Sequence, residues 1–456
     1  MFYKQSLSYS KDLIKGTKIE IPKKKLILPF TGTGTATVKL YDALTGKQTY
    51  EAKSENRISA VFGNMAYLDG FYYPILDNMQ ENILTDIYTT YPFRVVVLTT
   101  GDVPEDPYDY FTWGSIIGYA DGLYTYSGSD VLRGTVNTSE TTRTNTGASG
   151  IRHYVIDFPT SAANGTFKSV YWTGAASTGS TAQNPNINSL YPKIALEAGS
   201  SGSSLPYYNL CTDETNLYAL IRNTTTLVVY DKTTAVKKDN ITLPTQAKAI
   251  AYDGTNFWIL ISDGSFKKLD KNFAVVASYS KSAAIPADLV SSVQYYDIAV
   301  NDAYVYITYN GCTDTSGSGS KYKSCIAKYN KDGTFASKTE IYTGSIGLIT
   351  LTKITNNKLW AIIEYGTCLQ LNEDLTVYGT SSFTSTNYDS ISWDSDTSTI
   401  FTYTDSSYGQ LKQQYVVPAS AHTLLPVAVT KTPTNTMKIQ YDFTCEYIYP
   451  LDMPAH

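Results

Sequence analysis

One phrase returns five times in the second half of this chain, and few folds accommodate such a repeat. It reads "CTDETNLYALI", "AYDGTNFWILI", "AVNDAYVYITY", "KITNNKLWAII" and "WDSDTSTIFTYT". Each copy is an apolar run, a polar turn rich in Asp, Asn and Thr, and a second run with an aromatic at its middle. Those aromatics are Tyr218, Trp258, Tyr306, Trp360 and Phe401, spaced by 40, 48, 54 and 41 residues. A second phrase follows each first one, from "TLVVYDKTTAVKKDNI" to "GQLKQQYVVPASAHTL", and has the form of another hairpin, often with a D-K or N-K-D-G turn. Four strands per repeat of roughly 40 to 50 residues describe the blade of a β-propeller. Five phrases predict five blades, and the insertion "GCTDTSGSGSKYKS" accounts for the long third spacing. Trp258, Tyr306 and Trp360 sit mid-strand and are expected in blade cores. Asp213, Asp253, Asp394 and Asp396 fall in the turns, where Asp caps its own backbone.

Upstream, residues 36–173 form a second β-rich block with strands at "ATVKLYDA", "FRVVVLTT", "SIIGYA", "HYVIDF" and "FKSVYW". Within it, Ile75, Met79, Ile83, Leu84 and Ile87 recur at helical steps and predict one short helix. "HYVIDF" and "FKSVYW" flank the corner "PTSAANGT", whose Asn164-Gly165 pair has hairpin-turn chemistry. Pro159 ends strand pairing there, and Ser161, Ala162 and Ala163 allow close approach to a neighbour. The Gly-, Ser- and Asn-rich stretch 174–206 reads as a linker. "TMKIQYDFTCEY" alternates as a half-buried strand and has two possible homes, a blade or the upstream block. The second is preferred because the fifth repeat already has its phrases. The expected organisation is an N-terminal arm (1–35), a β-sandwich-like module (36–173), the linker, a propeller (207–425) and a returning strand (426–456). The predicted fold is therefore all-β: a sandwich-like module from both chain ends with an inserted five-bladed propeller.

Composition agrees. Tyr is unusually abundant, at 40 of 456 residues, and charged residues are only 17 %, against about 25 % in an average domain. The net charge of −5 and the lack of a basic stripe argue against nucleic acid as a partner. No apolar run approaches the ~20 residues of a membrane span, and the N-terminal stretch lacks the apolar core of a signal peptide. The five cysteines form no CxxC pair; Cys312 and Cys325 bracket a loop and could face each other, though free thiols are the simpler reading.

Catalytic motifs are scarce. His153, His422 and His456 are scattered without acid or nucleophile neighbours in sequence, and no phosphate-binding glycine loop is present. Neither a metal site nor a cofactor is expected. Asp297 and Asp389 are the candidates for a carboxylate pair of a glycoside hydrolase, the alternative to a non-catalytic protein. Tyrosine suits recognition better, offering a flat face and a hydroxyl at low entropic cost. Counting back five and six residues from each turn Asp or Asn reaches the loops entering the inner strands. Tyr207, Tyr208, Lys248, Tyr295, Tyr296, Tyr388 and Asp389 are thereby predicted at one propeller mouth as a ligand-binding rim. Packing between blades is the competing role for these rings.

Three further stretches carry a resemblance. "RGTVNTSETTRTN" followed by "RHYVIDFPTSAANGTFKSVYWT" resembles a module of bacteriophage tail-associated virion proteins, mostly from phages of Gram-positive hosts. "VKLYDALTGKQTYEAKSENRIS", with Asn56, is similar to their opening, and "PVAVTKTPTNTMKIQYDFT" to their closing strand. The resemblance implies a structural module anchored in a tail, fibre or baseplate, with the propeller as the variable part. It also implies other tail proteins as partners, self-association as a trimer or higher symmetric assembly, and a location in the virion. Receptor-binding proteins of similar phages use five-bladed platforms that recognise cell-wall polysaccharides such as teichoic acids; a purely architectural virion or neck component with no ligand is the other alternative.

Overall fold

A computed structural model describes residues 30–58, 95–106, 111–122, 124–145, 149–173, 190–198, 208–232, 234–284, 289, 291–313, 322–344, 350–353, 358–363, 367–382, 389–394, 399–404, 410–416 and 419–447. Thirty strands and no helix occur among them. The helix expected over 75–87 lies outside the described residues. The chain divides into two units, one of residues 1–112, 117–185 and 418–456, the other of 113–116 and 186–417.

The first unit is a ten-stranded sheet stitched from both ends of the chain. Its strands are Phe30–Asp42 (β1), Gln48–Ile58 (β2), Val95–Thr99 (β3), Ile116–Asp121 (β4), Thr135–Val136 (β5), Thr142–Asn145 (β6), Ser149–Phe158 (β7) and Gly165–Thr173 (β8). Ala419–Lys431 (β29) and Asn435–Tyr447 (β30) complete it. The order is β4-β3-β8-β29-β2-β1-β30-β7-β5, with β6 also on β7. β30 pairs along its whole length with β1, from Phe30 opposite Tyr447 to Asp42 opposite Asn435, and on its other side with β7. Its alternation explains that central place. Met437, Ile439, Tyr441 and Phe443 point into the core, while Lys438, Gln440 and Asp442 point away. The core side chains come from both halves of the sheet, so it folds over on itself. Trp172 of β8 meets Tyr154 of β7 at 4.7 Å and Tyr441 of β30 at 5.2 Å.

The "PTSAANGT" corner is not the turn of a hairpin. β7 pairs with β30, β5 and β6, whereas β8 pairs with β3 and β29, so the corner carries the chain from one layer to the other. Ala163, not Asn164, takes the left-handed backbone, with φ +54°. Ala163 is fully buried against Gly118, where a Cβ would lie 2.5 Å from its own. Asn164 acts through its side chain, donating to the Thr160 carbonyl at 2.8 Å and accepting from Lys431 Nζ at 3.0 Å.

The second unit is the propeller. Its first four sheets are Tyr208–Thr212, Asn216–Ile221, Thr224–Asp231 and Ile241–Ala247 (β10–β13); Ala249–Tyr252, Phe257–Leu260, Phe266–Leu269 and Val275–Tyr279 (β14–β17); Ser291–Val300, Tyr304–Cys312, Tyr322–Asn330 and Phe335–Gly344 (β18–β21); and Thr350–Lys353, Leu359–Ile363, Thr367–Leu371 and Val377–Ser382 (β22–β25). The fifth combines Ser390–Asp394, Thr399–Thr404 and Gln410–Val416 (β26–β28) with Leu190–Ala198 (β9). The leading strands β10, β14, β18, β22 and β26 neighbour one another in sequence, and β26 returns to β10. Five blades thus close a ring.

Three expected boundaries move. Part of the 174–206 linker is strand β9, which pairs antiparallel with β28 and supplies the fifth blade's outer strand. The latter half of the fifth repeat's second phrase leaves the propeller as β29, and that departure is what β9 makes good. At the other end, β1 begins at Phe30, inside the expected arm, because β30 extends far enough to pair with it. Cys312 lies opposite Tyr322 and Cys325 opposite Tyr309, so no disulfide joins those cysteines.

The repeat phrase has a mechanical meaning at one end of the blades. Asp213 Oδ1 accepts the N–H groups of Thr215 and Asn216, and Tyr218 donates its hydroxyl to Oδ2 at 2.7 Å. Asp253 repeats this with Thr255, Asn256 and the Trp258 indole N–H at 2.9 Å. Asn301 caps Ala303 and Tyr304, and its amide donates to Tyr306 at 3.1 Å. The Asp-to-aromatic interval of five residues is therefore one hydrogen-bonded turn used repeatedly. Asp394 has a further partner: its Oδ1 meets Lys232 Nζ at 2.8 Å, both side chains at most 4 % exposed, tying blade five to blade one. Asp396 lies outside the described residues.

Candidate functional site

Four residues before each turn residue stands a small or polar side chain on the innermost strand: Asn209, Ala249, Asp297 and Ser390, with Thr350 at the matching place in the fourth blade. A wholly buried strand would normally be apolar there. These residues hydrogen-bond across the ring. Asn209 donates to Asp297 Oδ1 at 2.8 Å and Ser390 Oγ at 3.3 Å, and accepts the Ile250 N–H at 2.7 Å. Asp297 Oδ2 accepts from Thr350 Oγ1 at 2.8 Å and Leu351 N at 2.9 Å; its Oδ1 also accepts the Ile298 N–H at 2.9 Å. Ile391 N donates to Thr350 Oγ1, and Leu210 N to Ser390 Oγ. All five blades take part. The bond from Asn209 to Asp297 links the first blade to the third across the inner ring, and both side chains are buried.

This disposes of Asp297 as a hydrolytic carboxylate. Its four hydrogen bonds fill the acceptor sites of the group. Burial pushes its pKa up, while the Arg222 charge and the donors pull it back.

At the end of the ring where the inner strands begin, two cations gather. Arg222 and Asn223 form the two-residue turn between β11 and β12, with Asn223 at φ +61°, a conformation Asn tolerates. The turn presents the half-buried Arg222, whose Nη2 donates to the Asp389 carbonyl at 2.6 Å. Lys248, between β13 and β14, lies with Nζ 4.9 Å from the centre of the Tyr296 ring. The Lys248 ammonium is half-buried and meets no hydrogen-bond acceptor among the described residues. Burial, and then the Arg222 charge, lower its pKa. The Tyr296 hydroxyl donates to Gln294 Oε1 at 2.9 Å, and burial raises its pKa. Two neighbouring positive charges and an aromatic face thus meet at this end of the ring, a chemistry that suits an anion.

Sequence counting brought Lys248, Tyr296 and Asp389 to this mouth, Asp389 through its backbone. It misplaced two rings. Tyr208 is buried between blades one and five, edge-on to Tyr403 at 5.4 Å. Tyr295 is buried between blades two and three, covering Gly264, where a Cβ would come within 2.4 Å of the ring. Packing between blades, the competing role, holds for both. Tyr207 and Tyr388 lie outside the described residues. Arg222 was missed because it sits outside the repeat phrases. Asn209, Thr350 and Ser390 left a readable signal, a polar residue at one fixed place on the inner strand.

The histidines acquire partners that their spacing hid. His153 Nδ1 lies 2.6 Å from Asp442 Oδ1, directly opposite on β30. His422 Nε2 lies 2.9 Å from Ser169 Oγ, but the pair is buried and the Ser169 hydroxyl already donates to the Gly101 carbonyl at 2.7 Å. The single hydroxyl proton is thus committed, so His422 Nε2 carries the proton it donates to Ser169. This is packing, not a nucleophile with its base.

No family model matches the chain, and no curated relative does. Among solved structures it is similar to glutaminyl cyclase of Myxococcus xanthus, at 14 % identity and a TM-score of 0.35, over 51 % of this chain and 98 % of that one. It is similar to BamB of Moraxella catarrhalis at 11 % identity and a TM-score of 0.24, over 50 % and 96 %. A third is hydrazine synthase of Kuenenia stuttgartiensis, at 9 %, 0.29, and 42 % and 79 %.

Proposed function

We propose that this chain is a non-enzymatic component of a bacteriophage tail, in a fibre, baseplate or tail tip. Its two-ended sheet unit anchors it among other tail proteins, and its propeller mouth binds anionic host-wall polymers such as teichoic acids. The anchoring half rests on the resemblance of the segments that become β1, β2, β7, β8, β29 and β30. The binding half rests on one observation above all: the half-buried Lys248 ammonium, stacked on Tyr296 beside Arg222, has no hydrogen-bond acceptor among the described residues. A phosphate oxygen would complete it. The saturated carboxylate of Asp297 supports binding over hydrolysis. One such site is weak, and repetition in a symmetric assembly multiplies avidity by factors on the order of 10² to 10⁴.

The test uses fluorescent full-length protein sedimented with purified Gram-positive cell walls, before and after their teichoic acid is stripped. Binding is expected to fall at least tenfold on stripping and equally with Lys248→Ala, with no soluble sugar released. Undiminished binding to stripped walls would refute the ligand, and sugar release would favour the hydrolase.

A further inference from the structure

The sheet unit holds a cavity of about 520 Å³ that the propeller reading does not use, within the size range of small-molecule sites. The inter-layer corner forms one wall with Pro159 and Ser161. Arg133 lines it and is only 7 % exposed, with its guanidinium 4.3 Å from the centre of the Tyr126 ring. That guanidinium makes no hydrogen bond to any described residue, and its Nε is closed off from solvent. A buried guanidinium without an acceptor is costly.

The carboxylates nearby are otherwise engaged. Asp130 accepts the Tyr119 hydroxyl on Oδ2 and the Leu132 N–H on Oδ1. Asp157 Oδ2 accepts from Asn137 at 2.8 Å, and Lys438 is taken by Glu140 at 2.6 Å. The remaining capacity is specific. Arg133 needs an acceptor, and Asp157 Oδ1, 4.0 Å from Lys438, has room for a donor. The Thr135 hydroxyl, having accepted the Tyr126 N–H at 2.8 Å, still has its proton to give. With Lys438 held by Glu140, Arg133 is the cation left facing Asp130 and Asp157, so the site suits at most a monoanion, seated on the guanidinium. We propose that this cavity binds an acidic sugar, a pyranose whose planar carboxylate meets Arg133 and whose hydroxyls meet Asp157 and Thr135.

Isothermal titration of the full chain with glucuronate, glucose and glycerol 1-phosphate tests this. Glucuronate is expected to saturate one site, at least tenfold tighter than either other probe. Arg133→Gln should weaken it at least tenfold, and Lys248→Ala, at the propeller mouth, should leave it unchanged. Ser161 is exposed at the cavity wall, so Ser161→Tyr should block binding without altering the melting curve, and it decides the matter if Arg133→Gln fails to fold. Absence of saturation, full affinity in Ser161→Tyr, glycerol phosphate binding as tightly to Lys248→Ala, whose mouth is disabled, or loss of glucuronate binding in Lys248→Ala would each overturn the proposal.

Discussion

The two units assemble their sheets in opposite ways. The propeller works locally: each blade is a run of consecutive hairpins, and within its sheets only β9 and β28 pair distant residues. The sheet unit works at long range, its central ladder joining residues 30–42 to 435–447. Local pairing forms quickly, whereas long-range pairing waits for loop closure. The propeller therefore resembles five small commitments, and the sheet unit one large one. The contrast extends to polar groups. The propeller adds buried hydrogen bonds and an ion pair to the rings packed between its blades, while the sheet unit centres on an aromatic core around Trp172.

Deleting residues 432–456 should give the largest effect. It removes β30 from the middle of the sheet, so amides of β1 and β7 should lose hydrogen-exchange protection while those flanking Trp258 and Trp360 keep it. Loss of protection in both units would break the contrast. Next is Asp394→Ala, which leaves the Lys232 ammonium buried without its carboxylate and should cost about 3–5 kcal/mol in urea unfolding of the propeller alone.

A graded effect, small just below pH 6.5, distinguishes the units by pH. Burial lowers the His422 pKa from 6.5 to about 3, so the folded chain resists a proton that the unfolded chain accepts. The stabilisation is complete above pH 6.5 and is lost as pH falls towards 3, at about 1.4 kcal/mol per pH unit. Urea midpoints of the sheet unit should follow this slope and flatten in His422→Phe. Smallest is Lys271→Ala, whose pairing with Glu214 is solvent-exposed on both sides; the unfolding midpoint should not move measurably.

Much of this contrast was legible in the sequence. Repetition exposes the blades because each repeat must build the same capped turn, Asp213 with Tyr218 and Asp253 with Trp258. The alternation of Met437, Ile439, Tyr441 and Phe443 announced a strand foreign to the repeat. The sandwich corner was half legible: Ala162 and Ala163 signalled close approach, but nothing local distinguishes a hairpin from a crossing between layers. The partner of β9 was hidden, since a Gly- and Ser-rich neighbourhood masks one edge strand. At the mouth, counting along strands found Lys248 and Tyr296 but could not tell which rings turn between blades, a choice fixed by packing against Gly264 and Tyr403. Arg133 gave no signal at all, because its importance lies in what fails to reach it.

The propeller mouth is proposed as an anion receptor built around Lys248. Isothermal titration of the full chain with poly(glycerol phosphate) tests it most directly. Saturable binding is expected, weakening at least tenfold in Lys248→Ala and declining as pH rises, below the ordinary lysine range, because burial lowers the Lys248 pKa. Binding with undiminished affinity in Lys248→Ala, or no binding by the wild-type chain, would contradict it.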